Sequence, residues 1–444
     1  MNHVARRVAS SFTQRFTSKA DLQLFLGRLF ARMGVECSYF VGVFGTATYA
    51  LGSDAFGISF MMLTGNLFIV LGTACAGPLV DRIGPRKTLL GTLILTAAVF
   101  ITYSLFAGSF GVLLAFFAFW SMLVGFANTS FSSLPPYVVP TSRLQDANGL
   151  LYLGTNVAII AGPMVGAAIT RVLPLSAVFL VSAAFFAAGA AVVLGIQQRY
   201  TPAAQMILGS APAAEPAHTQ KPGFKAKLAN LAAGFSVTFK DRFLAILFCL
   251  GFFGYFAFGA FDSLESIFYR DILQVPVEFL GWLTAAMGVG CVLGSAVMVR
   301  LPKDRITIKN CAVMLTVVGV GTVIYVGTSL WQIAAIGQLV TGFGFGMLAP
   351  TRDLLVQRRT PLAYTGRVMS VMSLGLQFAG VIPLFFAPFL ADLWGVQAVL
   401  IGASIVSACV GLLFVGIAPA TPAKPLEVEG TQAQAAAQER ARGQ

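Results

Sequence analysis

Charged residues and histidine are scarce in this chain. Asp, Glu, Lys and Arg make up 10% of its 444 residues, whereas apolar residues make up 57% and the mean hydropathy is +0.82. Soluble globular domains carry about 25% charged residues, so this composition excludes an ordinary soluble domain. The two histidines, His3 and His218, both stand in polar stretches. We therefore expect neither a buried metal site nor a histidine-based catalytic centre.

The six cysteines also lack the spacing of ligands or of a disulfide framework. Each stands alone in or at the end of an apolar segment, which is typical of a small packing residue. No Gly-x-x-x-x-Gly-Lys-Ser/Thr loop is present, so an ATP-driven pump built from this chain alone is excluded. We expect no cofactor, no metal and no enzymatic activity.

Long apolar runs recur along the whole sequence. Each is long enough for a helix to cross a hydrocarbon core of about 30 Å, and none alternates as a barrel strand would. The fold class that we predict is an all-α integral membrane protein with twelve transmembrane helices. The predicted spans are 22–50, 57–80, 88–107, 111–134, 148–171, 175–196, 243–269, 279–300, 309–328, 331–351, 366–390 and 396–418.

Basic residues are unevenly distributed about these spans. With a cytoplasmic N-terminus, the outer loops hold only Arg171 and Arg270, and the other basic loops and both tails lie inside. This asymmetry predicts a multi-pass protein of the plasma (inner) membrane with both termini in the cytoplasm. It also explains the net charge of +12 without a nucleic-acid partner.

A polar connector divides the chain into two halves. Its Ala- and Pro-rich run is typical of a flexible linker, and residues 224–240 have the pattern of a basic amphipathic helix. The predicted organisation is a cytoplasmic segment 1–21, a six-helix bundle 22–196, the connector 197–242, a second six-helix bundle 243–418 and a disordered tail 419–444.

Glycine and proline positions repeat weakly between the halves. Gly125 pairs with Gly342 and Gly77 with Gly294 at an offset of 217 residues; Pro140 pairs with Pro361 and Gly154 with Gly375 at an offset of 221. Coincidence is the alternative, because both residue types are common here. The repeat predicts pseudo-symmetric bundles with a substrate site between them at mid-membrane.

A short charged turn, GPLVDRIGPRK, joins the second and third predicted spans. Glycine allows close helix approach and a tight turn, and an aspartate suits the N-terminus of another helix, here the one that begins near Gly366. The turn resembles the loop between helices two and three of the major facilitator superfamily of secondary transporters. The matching residues are Gly77, Asp81, Arg82, Gly84, Arg86 and Lys87. The resemblance implies a latch for the outward-facing state; a purely topogenic turn is the alternative.

The fifth span carries small residues every three or four positions, which predicts one smooth face for close helix packing and a bend at its proline. The pattern resembles the superfamily's antiporter signature at Gly154, Gly162, Pro163 and Gly166. That resemblance implies export rather than uptake. Residues 22–418 as a whole resemble the drug:proton antiporters of the macrolide-efflux and Tap-like branch, although Ser121 stands where many proton antiporters have an arginine.

Three acids lie within apolar segments: Glu36 in the first span, and Asp262 and Glu265 in the seventh. Acids within the membrane are costly and tend to be functional. A desolvated carboxyl group favours its protonated form and can exchange a proton for a cationic substrate. Glu265 ranks first because it matches an acid of the Tap-like seventh helix, Glu36 second and Asp262 third. Structural pairing of Glu36 with Arg32 is the alternative.

Other polar residues are candidates for the cavity or its gate. Arg28 and Arg32 either extend to the cytoplasmic interface, or gate the cavity together with Glu36, or hold an anionic group of the substrate. Neutral candidates are Tyr39, Asn66, Asn156 and Gln377.

The predicted function is proton-coupled efflux of amphipathic, cationic drug-like compounds by alternating access. The alternatives are an exporter of an anionic or zwitterionic metabolite or lipid, such as a siderophore or lysophospholipid, and a nutrient symporter. The expected partners are a small-molecule substrate, protons and the lipid bilayer, and the expected state is a monomer.

Overall fold

The computed structural model describes residues 18–106, 108–198, 232, 234–302, 306–360 and 362–418. Helices account for nearly all of these residues, and no strand occurs among them. The predicted tail 419–444, most of the segment 1–21 and most of the connector 197–242 lie outside the described residues. Of the predicted amphipathic helix, residues 234–240 are described and are helical.

Twelve long helices follow one another in the described part of the chain. They are α1 (Lys19–Cys37), α2 (Ala55–Ile83), α3 (Pro85–Phe106), α4 (Phe110–Ser133), α5 (Leu144–Val172), α6 (Ser176–Leu194), α7 (Arg242–Asp271), α8 (Phe279–Arg300), α9 (Ile308–Val326), α10 (Trp331–Arg359), α11 (Leu362–Trp394) and α12 (Val396–Ile417). A single helical turn, Pro135–Val138, and a 3-10 turn, Thr141–Arg143, lie between α4 and α5.

Eleven of the helices, α2 to α12, are long and apolar enough to cross a membrane. The first predicted span, 22–50, is built differently, because α1 continues as wider π-helical turns over Ser38–Phe44 and Thr46–Ala50. The Ser38 hydroxyl donates to the carbonyl of Gly34 (2.7 Å), and the Thr46 hydroxyl donates to that of Gly42 (2.6 Å). Such side-chain bonds compete with the backbone ladder, and π-turns often mark functional sites.

The chain forms two compact units. Unit 1 comprises Met1–Glu215 with Ser263–Ala285, and unit 2 comprises Pro216–Asp262 with Ala286–Gln444. The boundary therefore crosses α7 and α8. In unit 1, α1 packs against α5 and α6, α2 packs against α4, and α3 packs against α4 and α6.

The small-residue face predicted for α5 is present and lies against α1. A Cβ built on Gly154 would stand 3.0 Å from the carbonyl oxygen of Phe25, and one on Gly166 would stand 2.6 Å from that of Cys37. Only residues without a large side chain permit this backbone approach. The pattern therefore predicted both the helix and the face that it buries.

In unit 2, α9 packs against α10 and α12. Gly342 of α10 leaves no room for a side chain, because a Cβ there would stand 1.9 Å from the carbonyl oxygen of Met287. Its predicted mate in unit 1, Gly125, is similarly close to the carbonyl oxygen of Ile69, at 2.6 Å. Both glycines of this repeat pair thus lie against a backbone carbonyl of a neighbouring helix.

The charged turn differs in part from expectation. Gly84, between α2 and α3, has a φ of +91°, so the tight turn is present and favours glycine. The close approach expected at Gly77 is absent, because a Cβ there would meet no described atom within 4 Å, whereas its predicted mate Gly294 packs on Phe343. Arg86 donates to the carbonyls of Val193 (3.2 Å) and Leu194 at the negative end of the α6 dipole.

Each unit contains one buried aspartate paired with an arginine, and we call these pairs the Asp–Arg clamps. In unit 1, Arg143 donates to Asp21 at 2.8 Å, and Asp21 also forms a capping box with Ser18. In unit 2, Arg359 donates to Asp241 at 2.6 Å. Each clamp joins the start of the first helix of its half to the chain at or after the end of the fourth.

Candidate functional site

The candidate site in unit 1 is built on one face of α1. Arg28, Arg32, Glu36 and Tyr39 are spaced by four, four and three residues, which places them on the same side of a helix. All four line cavities that α1 forms with neighbouring helices of unit 1. Three charged residues and a tyrosine on one side of α1 and its π-helical continuation thus line these cavities.

The larger cavity has a volume of about 200 Å³. Its polar wall holds Arg32, Glu36 and Asn66, and its aromatic wall holds Tyr39, Phe117 and Trp120. The Trp120 ring lies 6.3 Å from that of Tyr39 and 5.9 Å from that of Phe117, centroid to centroid. Ser121 also lines this cavity, where its small side chain leaves space. A mostly apolar cleft with a few polar groups is the usual form of a small-molecule site.

Glu36 is held from two directions. Arg32 donates to its carboxylate, and the two side chains are only 21% and 17% exposed. From behind, Gly162 of α5 lies so close that a Cβ there would stand 2.4 Å from the Cβ of Glu36. The pairing of Glu36 with Arg32 is therefore observed, and the small residue of α5 sets the depth at which the pair sits.

Arg28 has neutral partners. Its Nε donates to Thr155 Oγ1 at 3.0 Å, its Nη1 donates to Asn128 Oδ1 at 3.2 Å, and its guanidinium carbon lies 5.0 Å from the centre of the Phe131 ring. No ion pair joins Arg28 to any described acid. It lines a smaller cavity of about 20 Å³, which shares Arg32 and Trp120 with the larger one.

The acids of α7 lie apart from this cavity. Glu265 is half-buried and accepts a hydrogen bond from the Tyr269 hydroxyl at 3.3 Å, whereas Asp262 is exposed. Neither residue is among those lining the two cavities on α1. Asn156 and Gln377 are both exposed and also lie outside these linings.

Sequence reasoning missed a set of contacts at the C-terminal end of the π-helical stretch, all within unit 1. Thr48 Oγ1 donates to Ser266 Oγ at 2.8 Å, and the Tyr49 hydroxyl donates to the Val275 carbonyl at 2.9 Å. Arg270 donates to the Thr48 carbonyl at 2.9 Å. We call these bonds the α1–α7 lock. From the sequence, Arg270 counted only as a basic residue of an outer loop, and nothing in its local sequence indicated this partner.

In the described residues, no group of three His, Cys, Asp or Glu side chains could hold a metal ion. Of the charged turn, Asp81, Arg82 and Lys87 are exposed. Their role in a latch stays a prediction.

Comparison with known proteins places this geometry in context. A model of the Major Facilitator Superfamily matches residues 24–267 and 247–442. The chain is 24% identical to the multidrug efflux pump Tap of Mycolicibacterium fortuitum over 82% of this chain and 87% of that protein. It is 26% identical to Tap of Mycobacterium tuberculosis (strain ATCC 25618 / H37Rv) over 78% of this chain and 81% of that protein.

Solved transporters share the fold. The nucleoside transporter NupG superposes with a TM-score of 0.69 at 12% identity, covering 90% of this chain and 99% of NupG. A POT family transporter in complex with a thioalcohol-conjugated peptide superposes with a TM-score of 0.65 at 16% identity, covering 89% of this chain and 95% of that one. At these identities the likeness concerns the fold alone.

Proposed function

Because this chain belongs to the major facilitator superfamily, we propose that it exports amphipathic, cationic drug-like compounds in exchange for protons. It is a multi-pass membrane transporter and not an enzyme, and its curated relatives are multidrug efflux pumps. The proposal adds the direction, the coupling ion and the substrate class. Its topology counts Lys19–Ala50 as the first of twelve spans, in two six-helix bundles in the plasma membrane with both termini in the cytoplasm.

The observation that carries the proposal is a carboxylate in the wall of an aromatic-lined cavity inside the membrane-spanning part of the chain. Glu36 faces that cavity of about 200 Å³ beside Trp120 and Phe117. Aromatic walls suit bulky apolar substrates. A proton and a cationic substrate compete for one carboxylate, and this competition is what couples two opposite fluxes.

Glu265 stays the first candidate for the coupling acid, Glu36 the second and Asp262 the third. Glu265 is half-buried and accepts a hydrogen bond from the neutral Tyr269 hydroxyl, and the Arg32–Glu36 pair does not have to break for Glu265 to exchange a proton. Glu36 lines the aromatic cavity, but its ion pair with Arg32 would have to break before it could exchange a proton. The two variants therefore separate two routes for the proton.

Accumulation of ethidium in cells that lack their own pumps tests this function. Wild type, Glu265→Gln, Glu36→Gln and the exposed control Asp392→Asn are compared with and without a protonophore. We expect wild type and Asp392→Asn to lower accumulation, the protonophore to abolish the effect, and Glu265→Gln to lose it.

Loss of ethidium efflux in Glu36→Gln but not in Glu265→Gln would assign proton coupling to Glu36 on α1. An effect that survives the protonophore would contradict proton coupling. No effect of the wild type, expressed at normal level in the membrane, would contradict export of cations.

A second candidate function is export of an anionic or zwitterionic metabolite or lipid. The observation that favours it is Arg28, a membrane-helix cation whose hydrogen-bond partners are neutral.

A further inference from the structure

We infer that Arg28 and Arg32 form a subsite for an anionic group, so that the preferred substrate is an aromatic amphipath bearing a carboxylate. The substrate carries this group alone or together with a cation that the acids attract. The inference rests on the proposed exporter only for the direction of transport, because binding to the subsite is measurable without any flux.

The first argument is the charge of the cavity walls. The ionisable residues that line the two cavities are Arg28, Arg32 and Glu36. Glu36 neutralises one arginine, and one positive charge is left over. A charge inside the membrane is expensive unless it is paired or hydrated. A carboxylate entering the cavity would supply the missing negative charge.

The second argument is the donors that are left over. Arg28 uses Nε and Nη1 on Thr155 and Asn128, and its Nη2 makes no hydrogen bond to a described residue. The Nε of Arg32 is buried and has no hydrogen-bond partner. An unsatisfied buried donor such as Arg32 Nε is costly and rare. These two nitrogens lie on guanidinium groups one helical turn apart, and both cavities adjoin Arg32.

The third argument is that Arg28 is held in place before any ligand binds. Thr155 comes from α5 and Asn128 from α4, so two helices fix the orientation of the guanidinium, and the ring of Phe131 supports it at 5.0 Å. A pre-oriented guanidinium loses little entropy when it binds a carboxylate. Neutral partners orient this charge without cancelling it, as an anion site requires.

The fourth argument is the fit of an aromatic body. The cavity of about 200 Å³ is lined by Tyr39, Phe117 and Trp120, and Trp120 also lines the smaller cavity that holds Arg28. An aromatic ring system placed there would bring its substituent to the arginines.

Three probes of one shape test the subsite: 1-naphthoate, 1-naphthamide and 1-naphthylmethylammonium. Binding to the full-length protein in nanodiscs is measured by equilibrium dialysis, with empty nanodiscs as the blank. The variants are Arg28→Gln, Arg28→Lys and the exposed control Arg171→Gln, which removes a positive charge from the other end of α5.

We expect wild type to bind naphthoate at least about tenfold more tightly than the amide, since a hydrogen bond between two charged groups is stronger than one to a neutral amide. Arg28→Gln should lose this preference while its affinity for the amide stays unchanged. Arg28→Lys should keep part of the preference, and Arg171→Gln should keep all of it.

Equal affinity of wild type for naphthoate and the amide would overturn the inference, as would a preference that survives Arg28→Gln. If Arg28→Gln does not fold, the wild-type comparison still decides, because the inference requires a preference for the anion. The ethidium assay separates the two proposals. Export of ethidium without a naphthoate preference rejects only the subsite, and a naphthoate preference without ethidium export rejects only the export of cations.

Discussion

At the scale of single residues, the Arg32–Glu36 pair is the most constrained feature of the candidate site. Both side chains are mostly buried and lie one helical turn apart on α1. Removing one partner of such a pair leaves an uncompensated charge, whereas removing both leaves none. Removing one partner is therefore expected to destabilise the protein more than removing both.

A double-mutant cycle makes this measurable. We expect Arg32→Gln to lower the free energy of unfolding by about 1–3 kcal/mol, and Arg32→Gln with Glu36→Gln to recover part of that loss. Thermal unfolding of the purified protein in one detergent is the measurement. Strictly additive effects would show that the pair does not interact in the folded protein.

Part of this site was predictable from the sequence. The spacing of Arg28, Arg32, Glu36 and Tyr39 puts them on one helical face, and polar residues in an apolar span attract attention by themselves. The other walls of the site carry no such signal. Trp120 and Thr155 come from α4 and α5, and only the packing of these helices brings Trp120 to the cavities and Thr155 to Arg28.

At the scale of the element, the fit of α5 against α1 determines where the ion pair sits. Gly162 lies directly behind Glu36, so the absence of a side chain on one helix fixes the position of a charged side chain on the other. The resemblance to antiporters gave Gly162 a role in export. Its close approach to the backbone of α1 and to the Cβ of Glu36 is the contact through which it would act.

We predict that Gly162→Ala impairs ethidium efflux and lowers the melting temperature, because the added Cβ would stand 2.4 Å from that of Glu36. Overpacking of this kind costs about 1–3 kcal/mol. The matched control is Gly149→Ala on the same helix, where a Cβ would meet nothing within 4 Å. Equal behaviour of the two variants would mean that α1 moves aside without consequence.

The helices were largely predictable from composition, because a run of about 20 apolar residues can adopt few structures in a bilayer. Predicted spans 57–80 and 396–418 lie within or within a residue of α2 and α12. The π-helical turns of the first span were not foreseen. They depend on hydroxyl groups bonding to carbonyls one turn back, and serines and threonines do this in many helices that stay regular.

At the scale of the whole molecule, the α1–α7 lock is the feature most directly relevant to transport. It joins Thr48, Ser266, Tyr49 and Arg270 by hydrogen bonds within unit 1. In a carrier that works by alternating access, contacts that close one side of the substrate site have to open in each cycle, and we expect this lock to be one of them. The lock would then form and break once per molecule exported.

We therefore predict that a disulfide between Thr48→Cys and Ser266→Cys arrests efflux. The two native oxygens are 2.8 Å apart, which brings the replaced side chains within reach of each other. Oxidation should abolish ethidium efflux and a reductant should restore it. Each single variant is the control. Continued efflux by the fully oxidised double variant would show that these two positions need not separate during transport.

The two Asp–Arg clamps resemble each other in position. Asp21 with Arg143 and Asp241 with Arg359 stand at matching places of two sequences that otherwise share little. Neither clamp residue set lines the cavities on α1. A carrier built from two like halves needs each half to close its own first helix onto the chain at or after the end of its fourth. The clamps would meet that need twice and away from the cavities, so that the residues lining the cavities can change without loss of assembly.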